Sequence, residues 1–126
     1  MKKVILVVDD SATIRKFIAV SLAMQGFEDI TACDGVDALE KLPVANIDLV
    51  ITDLNMPNMD GFEFVRTLRE NPRYQEIPVI ILTSLAEEQN AEYSKQLHVT
   101  SYMMKPFKPE RIQYEVSKCI MNSEVA

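Results

Sequence analysis

The residues that can do chemistry sit immediately after short apolar runs. Asp9 and Asp10 follow Val4-Ile5-Leu6-Val7-Val8, and Asp53 closes Leu49-Val50-Ile51-Thr52. Thr83 closes Val79-Ile80-Ile81-Leu82, and Lys105 follows Ser101-Tyr102-Met103-Met104. Three carboxylates gathered in a partly buried place repel one another, and a hard divalent cation removes that repulsion. With oxygen ligands only, and no histidine or cysteine beside them, Mg²⁺ suits the set better than zinc. Mg²⁺ and a lysine suit a phosphoryl group, because they neutralise its oxygens while an ionised Asp53 attacks phosphorus in line. Thr83 can donate a hydrogen bond to a phosphoryl oxygen. Asn55, two residues after Asp53, can turn its backbone carbonyl toward the metal.

That chemistry needs elements that bring distant residues together. The β-branched runs over 4–8, 49–53 and 79–83 predict strands buried on both faces, as in a parallel sheet. Residues 28–33 alternate apolar and polar, which predicts an edge strand, and 101–104 predict another. Between them lie helical patterns. Residues 12–25 place Ile14, Phe17, Ile18 and Leu22 on one stripe, with Gly26 at the C-cap. Asp34 caps a short helix that Pro43 ends. Phe64, Val65 and Leu68 mark a helix over 61–70, and Pro109 opens one carrying Ile112, Val116, Cys119 and Ile120. Ser84 and Glu87 have capping-box spacing and predict a helix to about Leu97, with a thin apolar stripe. Residues 122–126 are expected to fray.

The pattern is βα repeated five times, which predicts an α/β fold: a doubly wound five-stranded parallel sheet with right-handed crossovers. In such a sheet the C-terminal strand ends share one edge, where ligands bind. Asp9, Asp10, Asp53, Thr83 and Lys105 are all expected there.

Composition narrows the partners. At 126 residues the chain is the size of one domain, and it can bury a core without disulfides. A net charge of −6 argues against nucleic acid and against an acidic membrane surface. Cys33 and Cys119 form neither a disulfide framework nor a zinc site, so reduced thiols in a cytoplasm are expected. The apolar run after Lys2-Lys3 is too short for a signal core or a membrane span. Met1 just before the first strand and a short polar tail suit a whole protein.

Four segments, Val8-Asp9-Asp10-Ser11, the stretch from Asp53 to Gly61 (DLNMPNMDG), Thr83-Ser84 and Tyr102-Met103-Met104-Lys105-Pro106-Phe107, resemble the response-regulator receiver family. Within it, the single-domain chemotaxis members, the CheY-like proteins, are the nearest in pattern. The resemblance covers essentially the whole chain, in order and in register, so it implies one receiver domain over residues 1–126. It also implies a flavodoxin-like sheet of strand order 2-1-3-4-5. By the same resemblance Asp53 is the phosphoacceptor, served by a histidine kinase or a histidine phosphotransfer domain. The same resemblance implies a Mg²⁺ site of Asp9, Asp10, Asp53 and the Asn55 backbone carbonyl, with one of Asp9 and Asp10 direct and the other through water. Thr83 is the switch hydroxyl, Lys105 the phosphoryl partner, and Tyr102 the aromatic that swings inward once Thr83 has moved. The Lys105–Pro106 bond is cis in relatives. Output would pass through the helix after the fourth strand, the fifth strand and the last helix, to an output protein the sequence does not name. A monomeric cytoplasmic switch is implied, one that catalyses its own phosphorylation and dephosphorylation and is otherwise no enzyme.

Two positions depart from the family pattern. His98-Val99-Thr100 stands where relatives often have Gly-Ala, and a left-handed backbone at His98 costs more than at glycine. Leu85 is apolar where many relatives are polar, so water near a phosphoryl on Asp53 would be poorly held and hydrolysis slow.

Plainer readings stand beside these. Asp9-Asp10 can simply cap a helix, Thr83 can be an ordinary strand end, and Lys105 a solvated lysine. Tyr102 can be edge-strand packing, and Met103 and Met104 are expected in the core. A Mg²⁺-dependent phosphohydrolase would need a second acid for its leaving group, which nothing after Asp53 supplies. A flavin or nucleotide module would need a Gly/Ser/Thr-rich loop where Asp9-Asp10 stands. A receiver-like scaffold that signals without phosphorylation is the remaining alternative.

Overall fold

The computed structural model describes residues 2–84 and 98–125, with side chains to Met121. The stretch 85–97, where a helix and Leu85 were placed by the sequence pattern, lies outside the described residues. Five parallel strands, β1 (Val4–Val8), β2 (Glu28–Ala32), β3 (Leu49–Asp53), β4 (Val79–Thr83) and β5 (Ser101–Met104), form one sheet. Its order is β2-β1-β3-β4-β5, so the two weakly patterned strands are the edges, as expected. Residues of β3 and β4 are buried throughout, because helices cover both faces of a parallel sheet.

Alternation along the strands splits the core in two. Leu6, Val8, Val50 and Ile81 face helices α2 (Gly35–Lys41) and α3 (Gly61–Glu70), meeting Ala38, Phe64, Val65 and Leu68. Ile5, Val7, Ile51, Ile80 and Leu82 face α1 (Ala12–Met24) and the C-terminal helix α4 (Pro109–Val125), meeting Ile18, Leu22, Ile112, Val116 and Cys119. Each of these large aliphatic side chains contributes about 1.5–3 kcal/mol when fully buried.

The helix ends follow local chemistry. Ser11, not Asp9 or Asp10, caps α1, accepting from the Ile14 N–H. At its other end Gly26 takes φ +85°, the Gly26 N–H donates to the Ala23 carbonyl, and the Phe27 N–H donates to the Leu22 carbonyl. This paired closure is a Schellman motif, which glycine adopts without a Cβ penalty. Asp34 caps α2 through the Asp37 N–H, and Asp60 caps α3 through the Glu63 N–H. Each cap contributes about 1 kcal/mol.

Some expectations hold and others shift. The α2 helix does end just before Pro43, at Lys41, and Pro43 itself sits in a 3₁₀ turn, Leu42–Val44, where its fixed φ is compatible. Phe17 is 38% exposed and stacks toward Phe107 at 6.1 Å, so the buried stripe of α1 is carried by Ile18 and Leu22. Met103 is core but Met104 is 41% exposed, because neighbours on an edge strand point to opposite faces. The backbone of α4 is helical through Val125. Lys105–Pro106 is cis, and His98 does take the left-handed conformation, φ +56°. The Arg69 guanidinium donates to the His98 carbonyl at 3.0 Å and to the carbonyls of Gln75 and Ile77, which holds that turn in place.

Candidate functional site

Strand register sets the site. Val8 pairs with Thr52, so Asp9 lies level with Asp53 on the neighbouring strand. Asp53 pairs with Leu82, and Thr83 with Met104, which puts Thr83 and Lys105 at the same sheet edge. The Lys105 N–H donates to the Thr83 carbonyl at 2.7 Å, extending the ladder one residue beyond β5. The strand ends thereby bring together residues that the sequence separates widely.

Carboxylate oxygens of Asp9, Asp10 and Asp53 lie within 4.8 Å of one another. Asp9 is fully buried and Asp53 nearly so, whereas Asp10 is exposed. Lys105 Nζ stands 3.2 Å from Asp53 Oδ1 and 3.5 Å from Asp9 Oδ2. Asp53 Oδ1 also accepts from the Leu54 N–H at 2.9 Å, and Asp9 Oδ1 from the Ser11 N–H at 2.9 Å. Asp9 Oδ2 is buried and, apart from the ion pair with Lys105, has no hydrogen-bond partner among the described residues. Burial pushes the Asp9 carboxyl above the ordinary carboxylate range, with repulsion from Asp53 adding to it; the Ser11 N–H and Lys105 oppose the rise. Burial also pulls the Lys105 ammonium down, but attraction to Asp53 and Asp9 outweighs it and leaves the pKa raised.

These features fit Mg²⁺. An orphaned buried carboxylate oxygen beside two further carboxylates asks for positive charge, and one lysine at 3.5 Å leaves Asp9 destabilised in its ionised form. The oxygen-only donor set and the exposed Asp10, open to a water shell, suit a cation that keeps some of its water.

Thr83 Oγ1 donates to the Ser84 carbonyl at 3.2 Å. Tyr102 pairs with Ile81, two residues before Thr83, so the two side chains share one sheet face. The Tyr102 hydroxyl is buried with no hydrogen-bond partner among the described residues. A buried hydroxyl left unsatisfied costs about 1–3 kcal/mol. Asn55 is exposed in the loop after β3.

A response regulator receiver domain model matches residues 5–117 of the sequence. The chain belongs to the response regulator receiver family. Among the relatives of this receiver is chemotaxis protein CheY1 of Helicobacter pylori, 39% identical over 108 residues, covering 84% of this chain and 87% of that protein. Another is the probable transcriptional regulator ycf27 of Cyanophora paradoxa, 34% identical over 98% of this chain, which spans 50% of that longer protein. Among solved structures, the chemotaxis response regulator CheY4 of Vibrio cholerae is 35% identical, with a TM-score of 0.88 over 94% of this receiver and 99% of that chain.

Sequence reasoning missed three members of this receiver's site. The Ser11 and Leu54 N–H groups are backbone donors with no side-chain signal. The Arg15 guanidinium donates to the Asp9 carbonyl at 2.6 Å. Arg15 sits one turn after Ser11 in α1, and nothing local in the sequence aims it at the Asp9 carbonyl. Among the described residues, no helix is long and apolar enough to cross a membrane, and Cys33 and Cys119 are both free thiols.

Proposed function

We propose that this receiver is a phosphorylation-dependent switch of a two-component system, in which Asp53 takes a phosphoryl group from a phosphohistidine on a histidine kinase or histidine phosphotransfer domain. The observation that carries the reading is Lys105 Nζ 3.2 Å from Asp53 Oδ1, beside carboxylates within 4.8 Å of one another. An Asp53 carboxylate oxygen forms the new bond to phosphorus as the imidazole N–P bond breaks, and the imidazole nitrogen keeps the electron pair. The Leu54 N–H orients the Asp53 carboxylate. Asp9, Asp10, Asp53 and the Asn55 carbonyl would hold Mg²⁺. When bound, Mg²⁺ neutralises charge on the transferring phosphoryl oxygens. Lys105 shares that role from the other side.

Phosphorylation adds charge and strong acceptor oxygens at the sheet edge. The Thr83 hydroxyl then leaves the Ser84 carbonyl for a phosphoryl oxygen, and Tyr102 fills the space on the same face. Because Tyr102 and Met104 belong to β5, which packs on α4, the change reaches an exposed surface that meets the output protein. Likeness to CheY1 and CheY4 favours chemotaxis as the pathway. A cytoplasmic monomer is the working form proposed here.

The test is incubation with acetyl phosphate and Mg²⁺ followed by intact mass measurement. One added phosphoryl, absent in Asp53→Asn, is expected. A folded protein with no adduct would point to a scaffold that signals without phosphorylation, and continuous turnover of acetyl phosphate to a phosphohydrolase.

A further inference from the structure

The loop from Leu54 to Asp60 carries Asn55, and the start of α2 holds that loop on one side. The Asn58 amide donates to Asp34 Oδ2 at 2.8 Å, while Asp34 Oδ1 accepts from the Asp37 N–H. The next residues repeat the tie: the Gly35 N–H donates to the Met59 carbonyl, and a Cβ on Gly35 would meet the Met59 side chain at 2.7 Å. On the other side, the Gly61 N–H donates to the Leu54 carbonyl at 2.8 Å. The loop is thus stapled at both ends, and Asn58 accepts a left-handed backbone, φ +68°, to reach Asp34. A left-handed residue other than glycine persists where surrounding contacts over-determine it. The Asp37 N–H and the Asn58 amide hold the Asp34 carboxyl below the ordinary range, so it stays an ionised acceptor.

We infer that the Asp34–Asn58 hydrogen bond is a positioning strut that fixes the loop bearing the Asn55 carbonyl, and so sets Mg²⁺ affinity from outside the ligand shell. The inference rests on the reading above, in which that carbonyl holds the cation. Residues that orient metal ligands from behind typically change metal affinity about 10–100-fold when removed. Asp34 and Asn58 are not themselves in the acidic cluster, so they act only through the loop.

The test is calorimetric titration of the full chain with MgCl₂, together with urea unfolding in the absence of metal. Asn58→Gly removes the hydrogen bond but relieves the left-handed backbone, so metal-free stability is expected to stay close to the parent while the Mg²⁺ Kd rises about tenfold. Asn58→Asp sets two carboxylates against each other and weakens binding in the same direction. In the double variant Asp34→Asn/Asn58→Asp the polarity is reversed: Asn still caps α2, its amide donates to the new carboxylate, and Kd returns to within about twofold of the parent. Unchanged Kd in Asn58→Gly, or no recovery in the double variant, overturns the strut. A parent chain that binds no Mg²⁺ overturns the reading beneath it instead.

Discussion

Lys105 Nζ is held 3.2 Å from Asp53 Oδ1, although Asp53 ends β3 and Lys105 follows β5, two strands that are not neighbours in the sheet. β4 lies between them, and the Lys105 N–H on the Thr83 carbonyl fixes where the lysine leaves the ladder. The same ammonium also faces Asp9, so one cation offsets two buried carboxylates.

Lys105→Ala removes that offset. The metal-free protein is expected to lose about 1–3 kcal/mol of stability, the cost of leaving buried acceptors unsatisfied. Urea unfolding measures it, and added Mg²⁺ should restore most of the loss. Phosphoryl transfer from acetyl phosphate is expected to slow by roughly 10²–10³-fold, as when one electrostatic contact to a developing charge is deleted. Because the Lys105 pKa is raised, its stabilising contribution is present at neutral pH and disappears as pH climbs through the folded value, above 10.5.

Asp9 gives a slope of the same sign at the acid end of the profile, but its ionised form weakens the fold rather than supporting it. Its folded pKa lies above the ordinary 3.8, so over that window the folded state holds the proton more tightly than the unfolded chain. Stability therefore falls as pH rises through the window. Asp9→Asn is expected to flatten this part of the profile, to stabilise the metal-free protein near neutral pH by on the order of 1 kcal/mol, and to abolish stabilisation by Mg²⁺. Thermal melts across pH, with and without the cation, check all three.

Two glycines are needed for different reasons. A Cβ at Gly61 would lie 2.2 Å from the Asp53 carbonyl oxygen and 2.9 Å from the Leu54 Cα, both backbone atoms that cannot step aside. Gly61→Ala is expected to cost about 1–3 kcal/mol or more and to slow Asp53 phosphorylation by displacing β3's end. At Gly26 there is open space, and only the φ of +85° objects, so Gly26→Ala is expected to cost about 1 kcal/mol and leave phosphorylation unchanged. Denaturant curves paired with acetyl phosphate kinetics separate the two.

The cysteines should react very differently. Cys33 is exposed, whereas Cys119 is buried in α4, and burial with the neighbouring Glu115 carboxylate pushes its thiol up to about 11. A native thiol titration is expected to show one fast equivalent, the second appearing only on unfolding. Glu115 itself is buried, accepting from the Ser101 hydroxyl and paired with Arg111 at 3.1 Å. Glu115→Ala should free the Ser101 hydroxyl, loosen β5 from α4 and raise the Cys119 reaction rate.

What the sequence determined by itself is the order and type of the described elements and the identity of the site carboxylates. Those signals are local: β-branched runs such as Val79–Thr83, cap residues such as Asp34 and Asp60, and Gly26 act within a few positions of the chain. The gathering of Asp9, Asp53, Thr83 and Lys105 at one edge followed from parallel strands alone. Strand order itself came only from resemblance to a family, since nothing local says that β1 lies between β2 and β3. Tertiary structure decided the rest. It aimed Lys105 between two carboxylates, turned Phe17 partly outward, supplied the Leu54 and Ser11 N–H donors, and tied Asn58 to Asp34 across the loop. Such contacts depend on register, twist and side-chain packing between distant segments, and those long-range constraints leave no periodicity in the chain for a reader to find.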